Sequence, residues 1–231
     1  DNGSCTISNC TITGSSAEYY GGGVYFEADN AIILDSVIVS NSCNDEGGGL
    51  YSEGSDCAIQ RTVISHNTAP GNAGGVYLYS DTSLIENCLI ADNQANAAAG
   101  ICAYNNNRIV NSTIAGNIAT NAQGGIKVAS GTTYFTNSII YGNTAATDSE
   151  YGGGGTVSFA YSCTTPAPGG TSNITHDPVF VDSANEDYTL QTNSPCINTG
   201  TNLSELVGTV DLAGNDRLQG SADESVFRRV D

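Results

Sequence analysis

Apolar residues recur along this chain as short alternating runs rather than helical stripes. The segments TISNCTITG, IILDSVIVSN, AIQRTVISHN, LIENCLIADN, RIVNSTIAGN and YFTNSIIYGN alternate over four to six residues and are rich in Ile, Val and Thr. Asn or Gly breaks each one, which is the chemistry of strand, turn and strand; a helix needs apolar residues at 3.6-residue spacing over ten or more positions. Aligned, the segments give columns. One aliphatic column holds Ile7, Ile33, Ile59, Ile85, Ile109 and Phe135, and a second holds Ile12, Ile38, Ile64, Ile90, Ile114 and Ile140. Between them runs a column of small residues: Cys10, Ser36, Thr62, Cys88, Ser112 and Ser138. Three residues past the second aliphatic column stand Asn41, Asn67, Asn93, Asn117 and Asn143, with Ser15 in their place in the first segment.

A second signal follows each segment: GGGVY, GGGLY, GGVY, AGIC and GGIK. Its aliphatic residues are Val24, Leu50, Val76, Ile101 and Ile126, at spacings of 26, 26, 25 and 25. A period near 25 is too short for a propeller blade of about 40 residues, and the Leu-x-x-Leu-x-Leu frame of leucine-rich repeats is missing. What remains is a stack of coils built from short parallel strands, each pairing with its equivalents above and below at about 4.8 Å. The Ile columns fill the interior, and burying each such side chain contributes about 1.5–3 kcal/mol. Stacked Asn can hydrogen-bond along the axis, and Asn tolerates the left-handed backbone of a sharp bend.

The paired NCTITG and GGGVY signals resemble right-handed parallel β-helix repeats of the polymorphic outer-membrane-protein type, found in bacterial surface and secreted proteins. DPVFVDSANEDYTLQTNSPCINTG (177–200), followed by DLAGNDRLQG (211–220), resembles the C-terminal cap that closes many such helices. The final ADESVFRRVD departs from the VDIGAYE-like strand with which such caps commonly finish. The expected architecture is therefore all-β: a right-handed parallel β-helix of about six coils over residues 1–165. A loop and irregular cap over 166–231 belong to the same domain. The coils are expected at 3–28, 29–54, 55–80, 81–105, 106–130 and 131–165, the last with an insertion around Thr147–Gly155, and the cap is expected to pack on the last coil. The first coil has no evident cap of its own, so either more coils precede it or another protomer stacks there, since solenoid ends are normally covered.

Composition narrows the function classes. The 231 residues carry a formal net charge of −18 with one Lys and five Arg. Such a surface repels nucleic acid and anionic membranes. No run of 18 apolar residues exists to form a membrane-spanning helix. Without an initiator Met, the chain reads as processed or as a fragment. The resemblance implies export, to the cell surface or outside the cell.

The chemistry-bearing residues give no catalytic constellation. The position after each Gly-Gly-aliphatic signal reads as outward and holds Tyr25, Tyr51, Tyr77, Cys102 and Lys127. The three tyrosines would stack on one face and, with Lys127, are the candidate surface for a glycan or protein partner; the competing reading is that the tyrosines simply cover a strand face. The β-helix fold includes polysaccharide lyases and hydrolases, which need a cation or paired carboxyls. Lys127 with Arg108 is the available basic pair, and Asp35 with Arg61 reads as an ion pair between coils. His66 and His176 lie about four coils apart. The turn acids Asp45, Glu46 and Asp56 could hold Ca²⁺, but no EF-hand or nonapeptide pattern supports them, and no cofactor is expected. Eight Cys form no zinc spacing. Cys163 could bridge Cys196, and Cys43 could bridge Cys57. Cys10 and Cys88 share a column three coils apart and read as buried free thiols. The expected function is a structural or adhesive extracellular module, its partner a surface glycan or protein or, stacked end to end in a filament, its own copies. The alternative is a carbohydrate-active enzyme or glycan-binding module.

Overall fold

A computed structural model describes residues 4–79, 82–201, 203 and 211–212. It is an all-β parallel solenoid whose coils run around four faces. The first face stacks seven strands, from Thr6–Ser8 to Thr156–Ala160, and the second stacks seven, from Thr11–Thr13 to Cys163–Thr164. The third stacks five, from Ser16–Ala17 to Ile118–Ala122, and the fourth six, from Val24–Phe26 to Tyr151–Gly152. All pairings within these faces are parallel, and their register reproduces the sequence columns. Ile7 pairs with Ile33, Ile33 with Ile59, Ile59 with Ile85, Ile85 with Ile109 and Ile109 with Phe135. From Ile33 to Phe135 this column is almost fully buried, as is Ile38 to Ile140 in the second. Both belong to one continuous core with Leu50, Val76, Ile101 and Ile126 from the fourth face.

The corners are made by residues that accept a left-handed backbone. Between the first and second faces stand Asn9, Asp35, Arg61, Asn87, Asn111, Asn137 and Tyr161, all with φ between 46° and 57°. Between the second and third stand Gly14, Ser40, His66, Asp92, Gly116 and Gly142, with φ between 55° and 73°. Gly, Asn and Asp dominate both columns because they enter this region at least cost.

Two side-chain ladders run along the axis. In the asparagine ladder, Asn41 Nδ2 donates to Asn67 Oδ1, Asn67 to Asn93, Asn93 to Asn117 and Asn117 to Asn143, at 2.9–3.1 Å. Each of these oxygens also accepts the backbone N–H of the Asn one coil below. Each amide nitrogen from Asn41 to Asn143 also reaches a backbone carbonyl of the second-face strand one coil below, such as Ile64 O for Asn93. The small-residue column is a second ladder. The backbone N–H groups of Cys10, Ser36, Ser112 and Ser138 donate to Oγ of Ser36, Thr62, Ser138 and Ser162 respectively. The Ser36, Thr62, Ser112, Ser138 and Ser162 hydroxyls donate back to the carbonyl two residues earlier. Cys88 fills the same slot, buried, with its thiol on Glu86 O. Cys10, expected to be buried, is exposed in the first coil.

The asparagine ladder dictates the glycines beside it. A Cβ on Gly23 would lie 2.7 Å from Gly49 O and 2.9 Å from Asn41 Nδ2, and one on Gly49 would meet Gly75 O and Asn67 Nδ2 at the same distances. Glycine is needed at this column for close approach of coil to coil, not for an unusual φ.

One boundary differs from the sequence reading. Thr147–Gly155 is not an insertion. Tyr151–Gly152 pairs with Ile126–Lys127 and completes the sixth coil, while Thr156–Ala160 already pairs with Thr132–Thr136 and opens a seventh. The signal was hidden because Glu150 occupies the second Gly position. Its carboxylate closes the asparagine ladder, accepting Asn143 Nδ2 at 2.7 Å and Gly142 N at 2.8 Å. Among the described residues, part of the segment after residue 165 packs on the last coil. Thr171 and Ile174 bridge to Ala160 and Cys163 there. The antiparallel hairpin Phe180–Asp182 and Asp187–Leu190 instead reaches back along the flank of the solenoid. Most of the expected cap beyond 203, including DLAGNDRLQG apart from 211–212 and all of ADESVFRRVD, lies outside the described residues.

Candidate functional site

The structure brings the predicted tyrosine row together and enlarges it, but does not leave it open. Tyr25, Tyr51 and Tyr77 stand in register on the fourth face, with ring centroids 5.6 and 4.6 Å apart. Tyr20 stacks on Tyr51 at 4.7 Å, Tyr104 meets Tyr77 at 5.8 Å, and Tyr79 meets Tyr104 at 5.4 Å. Tyr51 and Tyr77 are therefore buried, at 5% and 3% exposure, beneath neighbours that share no sequence column with them. The exposed rings are Tyr19, Tyr20, Tyr25 and Tyr79. Acids surround them. Burial, followed by Glu53 and Glu27, pushes the Tyr25 phenol up to about 12. Asp45 is the main cause of the upward shift of Tyr20. The face is an aromatic platform with a negative rim.

Cys102, expected to be exposed at the end of the row, is fully buried beside Tyr77, Ala73 and Ala98, and burial raises its thiol to about 12. Lys127 stands in register with Cys102 and donates to Asn72 Oδ1 at 3.2 Å. Arg108 lies on the first face, so it and Lys127 belong to different faces. Arg61 and Asp35 form the expected ion pair between coils, at 2.6 and 3.0 Å.

The calcium candidates are not gathered into one group among the described residues. Glu46 accepts from Asn72 Nδ2 at 2.7 Å, and Asp56, on a different corner, accepts from Thr82 at 2.5 Å. Asp45 has its backbone carbonyl on Gly71 N. Among the cysteines, Cys163 and Cys196 meet in one buried cluster with Ile139, not joined by a disulfide. The adjacent Cys196 thiol, then burial, raises the Cys163 pKa. Cys57 lies in the main core just ahead of the first-face strand Ala58–Gln60, and Cys43 lies outside that core on the third-face strand Ser42–Cys43.

A further cluster arises where the hairpin meets the flank. His66 Nε2 lies 2.9 Å from Glu186 Oε1, and Asp92 Oδ1 accepts the Tyr188 hydroxyl at 2.7 Å. One ligand atom from each of His66, Asp92 and Glu186 lies within 4.8 Å of the others. His66 and Asp92 are successive residues of the second corner column. The next, Gly116, has no side chain, and a Cβ there would collide with the Tyr188 hydroxyl and the Asp92 carboxylate. The 26-residue repeat places His66 and Asp92 in one column. Glu186 was beyond its reach, because nothing periodic states where the hairpin returns.

The profile of the family described as "Right handed beta helix region" matches residues 1–163. The chain belongs to this right-handed β-helix family. No curated protein and no solved structure matches it. In this β-helix the matched region ends at the seventh coil, so the tyrosine face lies wholly within it. The His66 cluster joins a matched part, residues 66 and 92, to an unmatched one at 186.

Proposed function

We propose that this β-helix is a structural and adhesive module acting outside the cell or at its surface, with the tyrosine platform as its contact face. The carrying observation is the rigid mounting of the exposed rings. Tyr20 and Tyr25 rest on buried Tyr51, and Tyr79 rests on Tyr104. Rings held this way lose little freedom on binding and offer both apolar faces and hydroxyl rims, as sugar rings and protein surfaces require. The net charge of −18 and the likeness to exported repeats support the location. The test is an oligosaccharide screen with the full chain beside a Tyr20→Ser, Tyr25→Ser, Tyr79→Ser triple variant. Each aromatic contact is worth about 0.5–1.5 kcal/mol, so the variant should bind the selected glycan at least about tenfold more weakly with its fold intact. Equal binding by both proteins would refute the platform.

One observation favours end-on assembly as a second role. Ile7, Ile12, Val24 and Phe26 line an open cavity of about 880 Å³ at the first coil. Its strands offer a parallel edge for one more coil, from the same polypeptide or from another molecule. The opposite end is crossed by Thr171 and Ile174, so the two ends are unlike. Pairing of two first coils gives a dimer, and stacking of a first coil on the opposite end gives a filament. Light scattering over a concentration series, with Ile12→Asp as the control, should show association that the variant abolishes. A wild-type chain that stays monomeric at every concentration rules out self-assembly.

A further inference from the structure

The junction of hairpin and solenoid has the make-up of a metal site. Its three potential ligands come from three separated stretches of chain: His66 on the third coil, Asp92 on the fourth, and Glu186 between the Ser183–Asn185 turn and the Asp187–Leu190 strand. Together they offer one imidazole nitrogen and two carboxylates within 4.8 Å of one another. Tetrahedral zinc bonds of about 2.0–2.2 Å place ligand atoms roughly 3.3–3.5 Å apart. The 2.9 Å separation of His66 and Glu186 needs only a small opening, which half-exposed side chains can supply.

Two independent features point the same way. The Tyr188 hydroxyl holds Asp92 Oδ1 at 2.7 Å, the kind of outer bond that orients a ligating carboxylate. Gly116 leaves the space that lets Tyr188 reach it. The charge is also unbalanced. The groups acting on the Asp92 carboxyl are Tyr188, Glu186 and His66, none of them a Lys or Arg. Two carboxylates facing one imidazole match a divalent ion better than they match each other. The nitrogen ligand selects zinc-type ions over Ca²⁺ and Mg²⁺, which prefer all-oxygen sites.

We propose that His66, Asp92 and Glu186 form a zinc-type divalent-cation site that staples the 180–190 hairpin to the flank of the β-helix. Water completes the coordination, because His66 and Glu186 are solvent-exposed. The site ties coils three and four to a segment 94 residues beyond Asp92, so loading it restrains the hairpin.

The test uses the full chain, stripped with chelator and with the exposed thiols Cys5 and Cys10 blocked. Calorimetric titration with Zn²⁺ should show one saturable site per chain, with Ca²⁺ and Mg²⁺ far weaker. Co²⁺ should give the weak visible bands of nitrogen and oxygen ligands without the near-ultraviolet charge transfer of thiolate. Hydrogen exchange of amides 180–190 should slow on Zn²⁺ addition. His66→Asn, which keeps a residue tolerant of the left-handed corner, and Glu186→Gln should each weaken Zn²⁺ at least about tenfold and abolish the added protection. Absence of saturable binding, equal affinity in both variants, or a thiolate Co²⁺ spectrum would each overturn the site.

Discussion

The asparagine ladder should fail most expensively in its middle. Asn93 is fully buried and its side chain makes four hydrogen bonds. It donates to Ile64 O and Asn117 Oδ1, and accepts from Asn67 N and Asn67 Nδ2, all at 3.0–3.1 Å. Asn93→Ala removes all four. Asn67 Nδ2 keeps Ile38 O, and Asn117 Oδ1 keeps Asn93 N, so those losses are partial. The Asn67 backbone N–H is left buried without an acceptor. An orphaned buried donor costs about 1–3 kcal/mol, and each further lost bond about 0.5–1.5. With the two partial losses discounted the total is about 3–5 kcal/mol, or a Tm lower by about 10 °C for a chain of this length. Asn41 lies beside the open coil, where its bonds to Ser15 N and Ile12 O are only part-buried. Asn41→Ala should cost about half as much. Circular dichroism during thermal and urea unfolding of both variants reads the difference directly. A loss below about 1 kcal/mol for Asn93→Ala, or an equal loss for Asn41→Ala, would refute the account of the ladder as a buried, mutually satisfied network.

Gly75→Ala places a Cβ 2.5 Å from Gly100 O and 3.0 Å from Asn93 Nδ2, so it should destabilise by about 1–3 kcal/mol; Gly169→Ala meets nothing within 4 Å and should stay within about 0.5 in the same melt. Burial raises the Glu150 carboxyl above the ordinary glutamate range despite its bonds from Asn143 and Gly142. A raised folded-state pKa means the native state binds the proton more tightly, so stability falls as pH climbs from the ordinary glutamate value through the Glu150 value. Glu150→Gln should remove that slope from urea midpoints measured across mildly acidic pH. Cys163 and Cys196 should become the pair lost first to alkylation after mild oxidation, and peptide mapping that joins either to a different cysteine would refute their pairing.

The coils were legible because a period-two pattern and a 25–26-residue repeat act on every turn at once. Ile38, Ile64 and Ile90 announce their column, and Asn67 and Asn93 announce theirs, because each repeats under the same constraint. Single events were not legible. Glu150 stands where the preceding coils carry glycine, and its carboxylate on Asn143 shows what it does there. Tyr51 and Tyr77 alternate outward, as read, yet are covered by Tyr20 and Tyr104, which belong to other columns of the repeat. Alternation tells which way a side chain leaves the strand but not what folds over it. The return of Glu186 to His66 is a loop event of the same kind.

The direction of the asparagine bonds carries one further consequence. Every side-chain amide from Asn41 to Asn117 donates toward the coil above and accepts from the coil below. The amide dipoles therefore add, and the column is electrically polar, with its positive end at Asn143. Glu150 places a carboxylate against that end, as an anion sits at the N-terminus of a helix. The side chain that interrupts the glycine column thus acts as a counter-charge, and it marks the turn at which, among the described residues, the third and fourth faces end.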